Sequence, residues 1–250
     1  MKPYFEANGI QIYHGDCFEV LHALRGIDAV ITDPPYSSGG QFRGDRTMNT
    51  VTKYVQTNQQ AFRAEFGGDN RDQRSYLAWV SLWMSAALHA SNPNAIAALF
   101  TDWRQLPTTT DAFQAGGWVW RGIGVWDKTG AARPRLGGIK SQAEYIVWGS
   151  SGPLDADANP ICIPGVLSAP IVRGTDKEHI AEKPLKVMSW LCELCRPGGL
   201  IVDPFVGSGT TLVAAKKSGR RAIGIEIMEA NCEIAAKRLQ QGFLDLSEVA

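Results

Sequence analysis

The chain has 250 residues, 44% hydrophobic and 20% charged, which excludes a disordered or collagen-like polymer. Its 25 Lys and Arg balance 25 Asp and Glu, so no overall positive field advertises a nucleic-acid partner; only a local basic patch could supply one. This length suits one large domain, or one domain with an insertion, and a core big enough to fold without a disulfide or metal staple.

Short β-rich runs alternate with helix-period runs along the chain. Residues 10–14 read as a strand and 17–24 as a helix. Residues 28–32 (DAVIT) form a compact apolar run that stops at two prolines, so a strand ends at Asp33. Ser75 is the expected N-cap of a helix to about Ala90, with Tyr76, Val80, Trp83 and Ala87 on one stripe. Residues 95–100 form a buried-strand pattern, and 117–126 and 143–148 are aromatic-rich strands around a Gly/Pro/Arg loop. Lys183-Pro184 opens a helix that closes at Arg196-Pro197-Gly198-Gly199. A strand at 200–203, a helix at 210–218 ending on Gly219, a strand at 221–226 and a helix at about 229–241 complete the pattern. Such alternation implies an α/β fold, a doubly wound and mostly parallel sheet with helices on both faces. Two segments break the rhythm: 37–74, which reads as a lid or ligand-contact insertion, and 150–176, rich in Pro, Gly, Ala and Asp.

Residues 200–226 spell strand, glycine turn, helix, strand, acid. Gly207 and Gly209 allow a tight turn and close approach to a ligand, while Thr210 and Thr211 place N–H groups and hydroxyls at a helix N-terminus that favours an anion. Glu226 stands where ribose hydroxyls would be held. The loop departs from G-x-G-x-x-G, with Leu212 in the third position, and does not separate a dinucleotide from S-adenosylmethionine. Upstream, Asp33-Pro34-Pro35-Tyr36 follows a buried strand, at the strand end where open α/β sheets bind ligands. A carboxylate and a carbonyl gripping both hydrogens of a nucleobase amine would make its nitrogen nucleophilic, and an aromatic face would hold the extruded base.

With these motifs in place, the sequence resembles the DNA amino-methyltransferases, which use S-adenosylmethionine to methylate adenine N6 or cytosine N4. The resemblance rests on DPPY at 33–36, DPFVGSGTT at 203–211 and GIE at 224–226, extended by GD at 15–16, WDK at 126–128, EYIV at 144–147 and AEKP at 181–184. It spans residues 10 to 240, in the permuted order called the β class. It implies a single methyltransferase domain with a Rossmann-like sheet of seven strands, one of them reversed in a hairpin near 118–148. It implies Asp33, Pro34 and Tyr36 as the catalytic set, and Phe205, Gly207, Gly209, Thr210 and Thr211 around the methionine part of the cofactor, with Asp203 nearby. Glu226 would hold the ribose, Asp16 the cofactor adenine, and Lys183 would lie near the cofactor carboxylate. Asp in the first motif position points to adenine N6 as the target in double-stranded DNA, with cytosine N4 as the alternative. A catalytically decayed DNA-binding module, and an amine methyltransferase acting on RNA or a protein glutamine, are the other readings. A cognate restriction endonuclease is an expected partner, and the chain would act as a monomer or homodimer.

The expected target-recognition segment, 150–176, is short and not basic, so base reading should draw on 37–74 and on the loop after residue 127. Within 118–143, Arg121, Lys128, Arg133, Arg135 and Lys140 stand against Asp127, and this patch could neutralise phosphates. Cys192 and Cys195 fall on a buried helix stripe with Met188 and Leu191, so they read as core and not as a metal pair. Histidines 14, 22, 89 and 179 form no ligand spacing, and no metal is expected. Five scattered cysteines (17, 162, 192, 195 and 232) and a start without a charged-then-apolar leader suit a reduced, cytoplasmic setting. No Pro-Cys pair is present to serve carbon-5 cytosine chemistry.

Overall fold

The computed structural model describes residues 1–36, 71–132, 136–172 and 183–247; most of the expected lid, Arg133, Arg135 and His179 lie outside the described residues. The elements are β1 (Phe5–Ala7), β2 (Ile10–His14), α1 (Cys17–Ala23), β3 (Ile27–Thr32), α2 (Gln73–Ala90), β4 (Ser91–Thr101), α3 (Leu106–Ala115), β5 (Val119–Asp127), β6 (Ala143–Ser150), β7 (Val166–Ser168), α4 (Leu185–Cys192), β8 (Leu200–Asp203), α5 (Thr210–Lys217), β9 (Arg221–Glu226) and α6 (Glu229–Ser247).

They build one sheet in the order β1-β2-β9-β8-β3-β4-β6-β5-β7. The seven expected strands occupy the middle, and two three-residue strands, β1 and β7, extend its edges. Strands β2, β9, β8, β3 and β4 run parallel, while β6 runs antiparallel to both β4 and β5, which makes β6 the reversed strand of the central seven. This reversal matters for the site. It brings Glu144, at the start of β6, beside Trp126 at the end of β5, on the same edge as the carboxyl ends of the parallel strands.

Burial on both faces explains why the central strands read as nearly unbroken apolar runs. Along β4, Ala98 and Phe100 face the core formed with α4, α5 and α6, while Ala97 and Leu99 face the core formed with α1, α2 and α3. The α2 stripe of Tyr76, Val80, Trp83 and Ala87 is fully buried, as its spacing predicts. The start of that helix is set by Asp72 and not by Ser75: Asp72 Oδ1 accepts the N–H groups of Arg74 and Ser75 at 3.0 and 2.9 Å. Carboxylates and serines cap equally well, so the local pattern alone does not choose between them. Helix α4 likewise stops at Cys192, before the Pro197-Gly198 pair. Met188, Leu191, Cys192 and Cys195 are all buried, and no cluster of metal-ligating side chains occurs among the described residues. Among the described residues, no helix is long and apolar enough to cross a membrane.

At the opposite edge of the sheet, Asp28 ties three elements together. It accepts the Leu200 N–H at 2.8 Å, the Asn92 amide at 2.9 Å and the Arg196 guanidinium at 3.0 Å. Burial pushes its carboxyl up, but these donors outweigh that and hold it below the ordinary range. A lowered folded-state pKa adds stability above the unfolded value and loses it as pH falls through the folded one. Asp28→Asn is therefore expected to cost about 1–3 kcal/mol at pH 7 in denaturant melts, with the gap from the parent chain closing below about pH 4.

Candidate active site

The carboxyl edge of the sheet collects every motif singled out in the sequence. Asp33 to Tyr36 leave β3, the glycine loop leaves β8, Glu226 ends β9, and Gly15-Asp16 leave β2. The strongest tie among them is buried. Asp203 Oδ1 accepts the Thr32 hydroxyl at 2.5 Å and the Phe205 N–H at 3.0 Å, and Oδ2 accepts the Thr211 hydroxyl. Asp203 is thus turned inward, 2% exposed, and acts as the clamp that joins the two motif loops rather than as a ligand-facing group. Burial pushes its carboxyl up to about 6 even though the Thr211 and Thr32 hydroxyls and the Phe205 N–H hold it down.

The two glycines of the loop have different reasons. Gly207, at φ +51°, has none of the described residues within 4 Å of where a Cβ would stand. Gly209, at φ +86°, caps α5, and a Cβ there would meet Ala235 Cβ of α6 at 2.9 Å. Close helix packing, not ligand approach, demands glycine at 209. Arg238 of α6 secures the same turn by donating to the Ser208 carbonyl at 2.8 Å, and Phe205 anchors it on α2, with ring centroids 5.1 Å from Trp79 and 5.2 Å from Trp83. Glu226 Oε2 accepts the Gly207 N–H at 3.0 Å and Oε1 the Met228 N–H at 2.9 Å; burial nevertheless raises its pKa. Asp16 caps α1 through the Phe18 N–H at 2.8 Å and stays exposed, beside Gly15, whose N–H reaches the Glu226 carbonyl at 2.9 Å.

Beneath the DPPY motif lies a chain of alternating charges. Lys183 Nζ is 2.6 Å from Asp33 Oδ2 and 3.6 Å from Glu144 Oε2. Glu144 Oε1 in turn meets Lys128 Nζ at 3.2 Å and accepts the Tyr36 hydroxyl at 3.1 Å. The Lys183 ammonium also lies 5.0 Å from the Phe100 ring centroid and 5.8 Å from that of Tyr36. Burial opposes charge on both partners, yet Asp33 and Glu144 raise the Lys183 pKa, and Lys183 and Lys128 lower that of Glu144. Lys183 therefore stands against the carboxylate of the motif. Pro34 is buried, with Asp33 and Tyr36 half-buried around it.

The fold agrees with what comparison finds. A family profile for DNA methylases matches residues 162–237. The Type II methyltransferase M.ScaI of Streptomyces caespitosus is 25% identical over 281 residues, covering 96% of this chain and 84% of that protein. The chain is thus similar in sequence to DNA methylases. The structure of the M1.HpyAVI–SAM complex is 24% identical, with a TM-score of 0.64, over 92% of this chain and 98% of that one. The cytosine-N4-specific PvuII DNA methyltransferase superposes with a TM-score of 0.67 at 18% identity, over 94% of this chain and 88% of that one. Both share the Rossmann-like methylase fold.

Within this methylase fold the expected basic patch needs correction. Lys128 is engaged with Glu144 in the charge chain, and Arg121 lies at the far end of β5, bonded to Ser150 Oγ at 2.7 Å and the Gly152 carbonyl at 2.9 Å. Lys140 stays on the loop at the carboxyl edge, where it donates to the Gly130 carbonyl at 2.9 Å. The described tip of that loop presents Leu136 and Ile139, 98% and 92% exposed. Charge counting along a sequence cannot see that Lys128 is engaged by an acid and that Arg121 stands at the opposite end of its strand. The segment from 150 to 172 is stitched to the sheet edge: β7 pairs with β5, and the Trp126 and Trp190 indoles donate to the Ala169 and Pro164 carbonyls at 2.8 and 3.1 Å. Glu144 is the residue that the sequence reading missed as a site member. Its signal was an acid in an otherwise apolar strand, EYIV, whose meaning depends on the direction of β6. For the glycine loop, Gly209→Val is expected to lower the melting temperature by several degrees and to abolish cofactor binding in calorimetry, because it both strains a positive φ and drives α6 from the turn.

Proposed function

We propose that this chain is a site-specific DNA methyltransferase that moves a methyl group from S-adenosylmethionine to the exocyclic N6 of adenine in double-stranded DNA. One observation carries the reading: the clamp of Thr32, Asp203 and Thr211 fixes the amine-gripping motif beside the glycine loop, so that acceptor and donor meet at one sheet edge. The residues present fit the cofactor. None of the described residues crowds the bare face of Gly207 at the N-terminus of α5, Asp16 offers an exposed carboxylate, and the Glu226 carboxylate lies at the lip of the loop. Phe205, Gly207, Thr210 and Thr211 would line its methionine part, Glu226 would take the ribose and Asp16 the adenine ring. When bound, the cofactor supplies an electrophilic methyl carbon to the amine lone pair by direct displacement.

The chain's own residues do the rest. Asp33 and the Pro34 carbonyl accept the two N–H hydrogens of the target amine, which draws its lone pair out of conjugation with the ring. Tyr36, held by its hydroxyl on Glu144, supplies a fixed aromatic face for the flipped base. Asp33 then stands as the acceptor for the proton that the methylated amine sheds. The half-buried setting of Asp33 and Tyr36 limits competition from water for these contacts.

The fold match to a cytosine-N4-specific enzyme makes cytosine N4 the second reading. Expression in a methylation-free host, followed by digestion of the DNA to nucleosides, decides between them: N6-methyladenine is expected, and N4-methylcytosine would replace this reading with the second. Long-read mapping of the same DNA gives the recognition sequence. Asp33→Ala is expected to reduce methyl transfer by about 10³-fold or more while cofactor affinity stays within a few-fold, measured by tritium incorporation and calorimetry.

A further inference from the structure

Lys183 has two carboxylate neighbours and fully engages one. It is hydrogen-bonded to Asp33 at 2.6 Å, whereas Glu144 Oε2 lies 3.6 Å away, just beyond hydrogen-bonding reach. That Glu144 oxygen is enclosed and takes no hydrogen bond among the described residues, while the other oxygen of the same carboxylate already serves Tyr36 and Lys128. An enclosed carboxylate oxygen left without a donor is costly, and here it faces an ammonium poised within a short swing.

The proposed function gives that arrangement a use, and the inference rests on it. Asp33 is to receive the N–H of the target amine, yet a carboxylate bonded to an ammonium is a weakened acceptor. A buried ammonium that simply left its partner would be strongly destabilised. We infer that Glu144 is the second seat for Lys183: as the target amine engages Asp33, the ammonium passes to Glu144 Oε2. Asp33 then meets the amine relieved of the Lys183 ammonium, and Lys183 always has an anionic partner. Glu144 touches neither base nor cofactor and is a positioning residue. Among the described residues, the groups around Lys183 are Asp33 and Tyr36 from the loop after β3, the Phe100 ring from β4 and Glu144 from β6, with Lys128 on the far side of Glu144.

The test is Glu144→Gln, which keeps the shape and an acceptor for Tyr36 but removes the charge that draws Lys183 across. The substrate is genomic DNA from a methylation-free host, with tritiated S-adenosylmethionine, in single turnovers. The rate constant is expected to fall by about 30-fold, with cofactor affinity by calorimetry within about twofold of the parent. The rate should also climb with pH in E144Q and not in the parent, because Lys183, having lost an anionic neighbour, sheds its proton earlier and so loosens its hold on Asp33. In ¹⁵N-lysine NMR the Lys183 ammonium is expected to titrate lower in E144Q than in the parent. An E144Q rate within about threefold of the parent, with the same pH profile, overturns the handover. Should E144Q fail to fold, Glu144→Asp draws the carboxylate back from Lys183 by one methylene: a slower rate that climbs with pH supports the handover, and a rate and pH profile matching the parent overturn it. If Asp33→Ala is inactive while E144Q is not, the methyltransferase reading stands and the handover alone falls. A parent chain that methylates no DNA removes both.

Discussion

A buried carboxylate at the end of β8 holds the functional edge together. Asp203 receives two hydroxyls and an N–H from three different places: the end of β3, the glycine loop and the first turn of α5. Its pKa of about 6, above its ordinary 3.8, means that the folded chain binds more protons than the unfolded one between those values. Its contribution to stability therefore declines as pH rises through that window, and at neutral pH the fold carries an ionised, enclosed acid at a net cost. Apolar residues would fill this space more cheaply. What they would not do is fix the relative position of two loops that must present a nucleophile and its methyl donor to each other. This carboxylate exchanges stability for registration.

The same logic organises the charges around Tyr36. Lys128, Glu144, Lys183 and Asp33 alternate in sign, so these four charges cancel although each is at least partly buried. Each ion is paired, which is the condition under which charges survive out of water. Lys128 and Lys183 are drawn toward Glu144 and Asp33, while the described part of the β5–β6 loop exposes Leu136 and Ile139. With Lys+Arg equal to Asp+Glu in the whole chain, long-range steering gives way here to short-range contact at the rim of the site.

How much of this could be read without coordinates follows from the range of each interaction. Strands β2, β8 and β9 were legible to the residue because an apolar run, a glycine turn and an acid are all local. Helix α3 was not. Its sequence, LPTTTDAFQA, offers three consecutive β-branched threonines and no apolar stripe, and it is held by Tyr76 and Thr101 reaching Thr109 from other elements. The functional motifs were legible as motifs, but two assignments within them depended on topology. Lys183 follows 150 residues after Asp33, and only the fold shows that it bonds the motif carboxylate. Glu144 becomes a site residue only because β6 runs against its neighbours and starts at the carboxyl edge.

That division also locates where base choice must arise. On the proposed function, Asp33 and the Pro34 carbonyl would grip only an amine, and Tyr36 would cover only the face of a ring; adenine and cytosine both offer these features. The shared fold of this chain and a cytosine-N4-specific enzyme is the structural counterpart of that chemistry. Discrimination has to come from groups that meet the ring edge, where a two-ring purine and a one-ring pyrimidine differ in size and in the pattern of donors and acceptors. In this architecture such groups must lie around the mouth of the site rather than in the amine-gripping motif. The scaffold thus separates activation of the nitrogen, fixed by the sheet edge, from choice of the base, left to the loops that surround it.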